Sequence, residues 1–159
     1  GLRDLGPALS PFNAFMILTG IETLPLRMQK QCDNAKAIAE FLAGHPAVAS
    51  VSYAGLASDK YNQLARKYAP RGAGAVVTFS LKGGYEAGVN LVSNLNLFSH
   101  LANVGDPRSL VIHPASTAHS QLDDAAKIRS GAGPDIVRLS IGIEDKEDLI
   151  ADLEQALGS

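Results

Sequence analysis

Apolar and polar positions along the chain alternate between helical and strand periods, which divides it into short helices and strands. Ser10 can cap a helix with Pro11 in its first turn. Phe12, Phe15, Met16 and Thr19 follow at helical spacing, and Gly20 is expected to interrupt them. A longer helix is predicted from Thr23 to Ala43, with Leu24, Met28, Cys32, Ala35, Ala39 and Leu42 as its apolar stripe. Arg27, Lys30, Asp33, Asn34, Lys36 and Glu40 then fall elsewhere on the wheel, and Gly44 and Pro46 end the helix. Ala47 to Tyr53 reads as a strand. Beyond the turn from Gly55 to Asp59, a short helix would carry Tyr61, Leu64, Ala65 and Tyr68 on one face, with Pro70 closing it.

The clearest strand comes next: Ala75, Val77, Phe79 and Leu81 alternate with Val76, Thr78, Ser80 and Lys82, so one face must be buried. Gly83-Gly84 turns the chain into a helix bearing Tyr85, Val89, Val92 and Leu95, and extended pieces are expected at Leu95 to Phe98 and Leu110 to His113. Ser120 and Asp123 have capping-box spacing, which predicts a helix from Gln121 to Ile128 ending at Gly131. In the last strand, Ile136 to Ile141, residues Val137, Leu139 and Ile141 face one way and Ile136, Arg138 and Ser140 the other. Asp145 caps a final helix with Leu149, Ile150, Leu153 and Leu157 as its core stripe. Because the segment from Leu95 to Ile112 joins strand to strand, the expected fold is α+β in two layers. It is a small mixed, largely antiparallel sheet with helices on one face.

Composition narrows the function classes. The 159 residues suit one domain, and 46 % hydrophobic and 19 % charged residues with a formal net charge of −2 describe a globular chain rather than a disordered one. That charge balance offers no basic patch for nucleic acid and no polybasic segment for a membrane surface. No apolar run approaches the ~18 residues of a membrane span, and the N-terminus lacks a signal-peptide pattern. The single cysteine, Cys32, cannot form an internal disulfide. The cytoplasm is therefore the expected compartment.

Candidate chemistry concentrates between Phe98 and Leu122, where His113 and His119 stand among Asn103, Asp106, Arg108, Ser109, Ser116 and Thr117, broken by Gly105, Pro107 and Pro114. Such density of polar turn residues around the apolar run Leu110 to Ile112 describes ligand-binding loops held on a brief strand. Arg138 stands out because a strand with a buried opposite face presents it rigidly, and a guanidinium so held can take a carboxylate with two parallel hydrogen bonds. From the residues alone, an internal salt bridge or a solvated strand arginine is the plainer reading, and a turn-capping role is the plainer reading of Ser109. The six-residue spacing of His113 and His119 fits no common metal-ligand pattern, so no metal is expected. Arg71 to Ala75 lacks the spacing of a dinucleotide loop, and Lys82 reads as a solvated strand-end lysine.

Three stretches, LSPFNAFMILTGIETLPLRM, LANVGDPRSLVIHPASTAH and VRLSIGIEDKEDL, occur in this order. Together they resemble the C-terminal domain of the O-acetylhomoserine sulfhydrylases, pyridoxal-phosphate enzymes of the Cys/Met metabolism family. The resemblance covers essentially the whole chain. It implies the C-terminal domain of an aminotransferase-like enzyme of fold type I, with residues 1–22 as a lead-in and short helix from an upstream domain and 23–159 as the substrate-facing domain. In such an enzyme, pyridoxal phosphate forms a Schiff base with the amino acid, acetate leaves the γ-carbon and sulfide adds to give homocysteine.

The resemblance further implies that Arg138, in the motif Arg138-Leu139-Ser140-Ile141-Gly142, binds the substrate α-carboxylate. Ser109, followed by Leu110, would place its main chain against the same group. The match at Ser109 is looser, since Asp106-Pro107-Arg108 replaces residue types common in the lyase relatives. The segment from His113 to His119 would support the active-site loop, with Ala118 where many members have threonine. None of the seven lysines has the context of the Schiff-base lysine, so no catalytic residue and no cofactor-binding residue is expected here, and the fragment alone should be inactive. The upstream domain and other subunits of a homo-oligomer are the implied partners. A cystathionine γ-synthase or methionine γ-lyase domain is the close alternative, and a free-standing module that binds a small acid or a protein without catalysis is the distant one.

Overall fold

The computed structural model describes residues 2–118 and 120–158. A short helix α1 (Leu2–Leu5) precedes α2 (Pro11–Glu22), whose N-cap Ser10 accepts a hydrogen bond from the Asn13 N–H at 3.2 Å. Gly20 does not interrupt α2 as expected: one glycine costs only about 1 kcal/mol in a helix. The break comes three residues later, where Pro25 has no N–H to continue the ladder and α3 (Leu24–Gly44) begins. Then follow β1 (Val48–Ser52), α4 (Asn62–Tyr68), β2 (Val76–Leu81), α5 (Gly84–Asn94), β3 (Ser99–His100) and β4 (Leu110–Ile112). A 3-10 turn (Pro114–Ser116), α6 (Asp124–Arg129), β5 (Ile136–Ser140) and α7 (Lys146–Leu157) complete the chain.

The five strands form one sheet in the order β1-β2-β5-β4-β3, antiparallel except for the parallel pair β3 and β4. Helices α3, α5 and α7 pack on one face. There Val77, Phe79 and Leu81 of β2, Val111 of β4 and Val137, Leu139 and Ile141 on and after β5 join Ile38, Leu42, Leu91, Leu149 and Leu153 in a single core. The opposite face carries Thr78, Leu110, Ile112, Arg138 and Ser140. Register places Arg138 between Thr78 of β2 and Ile112 of β4, and Ser140 between Val76 and Leu110.

Several expected elements differ in detail, each for a local reason. The inward face of α3 is turned from the expected stripe: Leu24 is exposed, whereas Gln31, Asn34 and Ile38 are buried with Ala35, Ala39 and Leu42. Asn34 faces inward because backbone carbonyls wait for its amide there. Tyr61, the N-cap of α4, and Leu64 and Tyr68 within it are exposed, and the helix is held instead through Asn62, whose Nδ2 donates to the Ala54 carbonyl at 2.9 Å. Residues 95–98 do not form a strand. The Asp152 carboxylate takes the N–H groups of Asn96 and Leu97 at 3.0 and 2.8 Å, so the segment turns before β3. Helix α6 starts three residues later than expected, since Asp123 itself is the N-cap and accepts from the Ala126 N–H at 2.7 Å.

Helix α2 is the one long element with no buried residue: Phe12, Phe15, Met16, Ile17 and Leu18 are all more than half exposed. A helix that is apolar all round and unpacked needs another surface over it.

Candidate active site

Two polar constellations lie on opposite sides of β4 and β5. On the helix side, Ser109 is fully buried one residue before β4. Its N–H donates to Glu144 Oε1 at 2.7 Å and its hydroxyl donates to Glu144 Oε2 at 2.9 Å. The same hydroxyl oxygen accepts from the Gly142 N–H at 2.8 Å. Glu144 thus grips Ser109 with both oxygens, the strong form of a carboxylate hydrogen bond. Helix α3 closes the arrangement: Asn34 Nδ2 donates to the carbonyls of Gly142 and Glu144 at 3.1 and 2.8 Å, and Gln31 Nε2 donates to the Asp106 carbonyl at 2.8 Å. Gly142 has no room for a side chain, because a Cβ there would run into the Pro107 carbonyl and Glu144. Two loops, 103–109 and 141–145, are therefore locked to one helix.

The loop before β4 is tightened again by Arg108, whose guanidinium reaches both oxygens of Asp106 at 3.3 Å. This contact holds the Asp106 carboxyl below its ordinary pKa and raises that of Arg108.

On the other face Arg138 is half-buried. Among the described residues its guanidinium has no hydrogen bond or ion pair. It lines a small gap of about 10 Å³ with Leu101, Asn103, Leu110, Ile112 and Ser140. Ser109 does not line that gap. Of the two residues singled out for carboxylate binding, Arg138 is on β5 and Ser109 just before the neighbouring β4, but the Ser109 hydroxyl points to Glu144 and only Arg138 lines the open face.

His113 is buried and fully bonded, with Nδ1 2.9 Å from Ser116 Oγ and Nε2 2.8 Å from the Pro134 carbonyl. The carbonyl can only accept, so Nε2 carries a proton, and Ser116 Oγ sits between Nδ1 and the His113 carbonyl, to which its hydroxyl donates at 3.2 Å. Tyr85 meets the ring edge-on at 5.0 Å, and at Gly88 a Cβ would strike it. His113 therefore ties the loop after β4 to α5 and to the approach to β5. His119 lies outside the described residues.

Sequence reasoning did not single out Gln31, Asn34, Glu144 or Ser140 as site residues. Glu144 and Ser140 stood within the quoted stretch VRLSIGIEDKEDL. The amides of α3 left only a weak signal, polar residues three apart beside Ala35 and Ile38.

A model of the Cys/Met metabolism PLP-dependent enzymes matches residues 2–158. The chain belongs to this family. Among curated relatives it is 54 % identical over 158 residues to the O-acetyl-L-homoserine sulfhydrylase of Leptospira meyeri, covering 99 % of this chain and 36 % of that protein. It is 51 % identical to O-acetyl-L-homoserine sulfhydrylase 1 of Thermus thermophilus, covering 99 % and 37 %. The homocysteine synthase of Schizosaccharomyces pombe is 48 % identical, over 98 % of this chain and 36 % of its own length. A crystal structure described as an O-acetylhomoserine (thiol)-lyase of Campylobacter jejuni superposes with a TM-score of 0.89 at 45 % identity, covering 99 % of this chain and 38 % of that one. That structure carries a pyridoxyl-lysine monophosphate. The chain thus spans a little over a third of the length of these relatives.

The residues of this chain do not fit an anchor for the cofactor of its family. Six of the seven lysines are exposed, Lys82 among them with its ammonium donating to the Pro46 carbonyl at 2.6 Å, and Lys127 of α6 already has a partner. What the open face offers is a rigid, uncommitted guanidinium, which fits a carboxylate.

Proposed function

We propose that this chain is the C-terminal, substrate-facing domain of an O-acetylhomoserine sulfhydrylase, a cytoplasmic transferase that makes homocysteine in methionine biosynthesis. Residues 23–159 form the substrate-facing unit, and residues 1–22 run out of the upstream, cofactor-bearing domain. The observation that carries the reading is Arg138. It is half-buried on a central strand and has no protein partner among the described residues, so five N–H donors in a fixed fork stay free for a substrate carboxylate. Similarity to sulfhydrylases and homocysteine synthases over nearly the whole chain supports O-acetylhomoserine as that substrate.

The role of this chain is position and electrostatics. Arg138 pins the α-carboxylate by two parallel bonds, with β2 and β4 on either side preventing the strand from yielding. Ser109 serves the same carboxylate indirectly: with its donors held by Glu144, it fixes the start of β4 beside the receptor. When bound in the complete enzyme, pyridoxal phosphate supplies the electron sink for loss of acetate and addition of sulfide. The apolar surface of α2 packs on the upstream domain or on a second subunit of a homo-oligomer.

Arg138→Lys in the complete enzyme tests the assignment. It keeps the charge and loses the fork, so kcat/KM for O-acetylhomoserine should fall by roughly 2–4 kcal/mol of transition-state stabilisation, about 30- to 1,000-fold. The fold should survive, because the core face of β5 is untouched. Near-normal kcat/KM, or loss only through unfolding, would make Arg138 a structural residue.

A further inference from the structure

Resting on that reading, we propose that Ser140 is a second recognition group for the substrate carboxylate, its hydroxyl donating to an oxygen that Arg138 draws into the gap between them. The two residues are two apart on β5 and so share a face, and both line the same small gap. Ser140 is 4 % exposed, and its Oγ has no hydrogen-bond partner among the described residues.

Register explains why the sheet offers it none. Its neighbours across β2 and β4 are Val76 and Leu110, both aliphatic. Ser80, the other buried serine of β2 and β5, finds Ser50 Oγ at 2.7 Å. The remaining buried orphans, Gln31 Oε1 and Asn34 Oδ1, belong to amides whose NH2 groups are bonded, so Ser140 alone among these three has a side chain with no bond at all. Burying a hydroxyl without a partner is unfavourable, and the cost is recovered if a ligand atom completes the bond. The gap of about 10 Å³ has room for a single oxygen atom, the size of one water. A carboxylate held by its outer edge on Arg138 presents one oxygen of that size.

The test is kinetics and stability of Ser140 variants in the complete enzyme. Ser140→Ala should lower kcat/KM for O-acetylhomoserine about ten-fold or more, the worth of one hydrogen bond to a charged group. The loss should sit in KM, because the carboxylate is bound alike before and during reaction. Without substrate the same variant should melt no lower than the parent, since it deletes an unpaired group. Ser140→Thr should retain most of the activity, and its isostere Ser140→Val should behave like Ser140→Ala. In an Arg138→Ala background the effect of Ser140→Ala should largely vanish, because both act on one group. Equal activity of the Thr and Val variants, additivity with Arg138→Ala, or a lowered melting temperature would overturn the inference and leave the role of Arg138 standing. An Arg138→Ala enzyme with unchanged kcat/KM would overturn the carboxylate reading and this inference with it.

Discussion

Removing the Glu144 side chain should loosen the loop before β4 more than any exposed acidic residue would suggest. Glu144→Ala deletes the acceptor of the Ser109 N–H and of the Ser109 hydroxyl at once. Ser109 is fully buried, so its N–H has no water to turn to, and an orphaned buried donor costs about 1–3 kcal/mol. The hydroxyl keeps only the bond it accepts from Gly142, and loss of its charge-assisted bond adds about 1 kcal/mol. The sum, about 2–4 kcal/mol, corresponds to a fall in melting temperature of about 5–15 °C for a domain of this size. Glu144→Gln keeps an oxygen for the Ser109 N–H and should cost about 1 kcal/mol. Thermal melts of the two variants, with hydrogen exchange at the Ser109 amide, measure both effects. An alanine variant that melts within about 2 °C of the parent with the Ser109 amide still protected would show that this carboxylate does not hold the loop.

Two further outcomes follow from other parts of the molecule. Tyr53 is buried, and burial first, then the neighbouring Cys32 and Asp33, pushes its hydroxyl up to about 12. A spectrophotometric titration should therefore show Tyr53 ionising only as pH approaches about 12. The neutral phenol is the form the fold favours, so its contribution to stability is complete below pH 10 and is lost between pH 10 and about 12. A Tyr53→Phe variant whose absorbance titration near pH 12 matches that of the parent would contradict this. Separately, the exposed apolar surface of α2 should make the 159-residue chain self-associate, with Phe15→Glu reducing the effect, and sedimentation showing a strict monomer at high concentration would count against a covering role for α2.

The parts of the fold that sequence made legible are those in which periodicity alone decides burial. The alternation in β2 and β5 identifies Val77, Phe79, Val137 and Leu139 as core, and all four are buried. Legibility ends where a polar side chain answers to backbone from a distant segment. Gln31 reaches across 75 positions to Asp106, Asn34 across 108 to Gly142, and Asp152 back across 56 to Asn96. No local pattern announces an acceptor that far away. Helical periodicity places a polar residue off the apolar stripe, so it leaves Asn34 off the inward face. The turn at 95–98 escapes a local reading for the same reason: its apolar residues suit a strand, but the Asp152 carboxylate takes its N–H groups.

The site shows a related asymmetry. Alternation along β5 was enough to place Arg138 on the face opposite the core, but it says nothing about whether the guanidinium is spent on an internal acid, the reading that residue chemistry alone favours. That question turns on which carboxylates are already occupied. Asp106 is taken by Arg108, Glu144 by Ser109 and Asp152 by the turn at 96–98, so these three acids are committed to loops. With these carboxylates spent on backbone and on Arg108, the strand cation keeps its donors. The lock on the helix side and the open receptor on the other face thus work together: fixing Glu144 on Ser109 holds the start of β4, the strand next to Arg138.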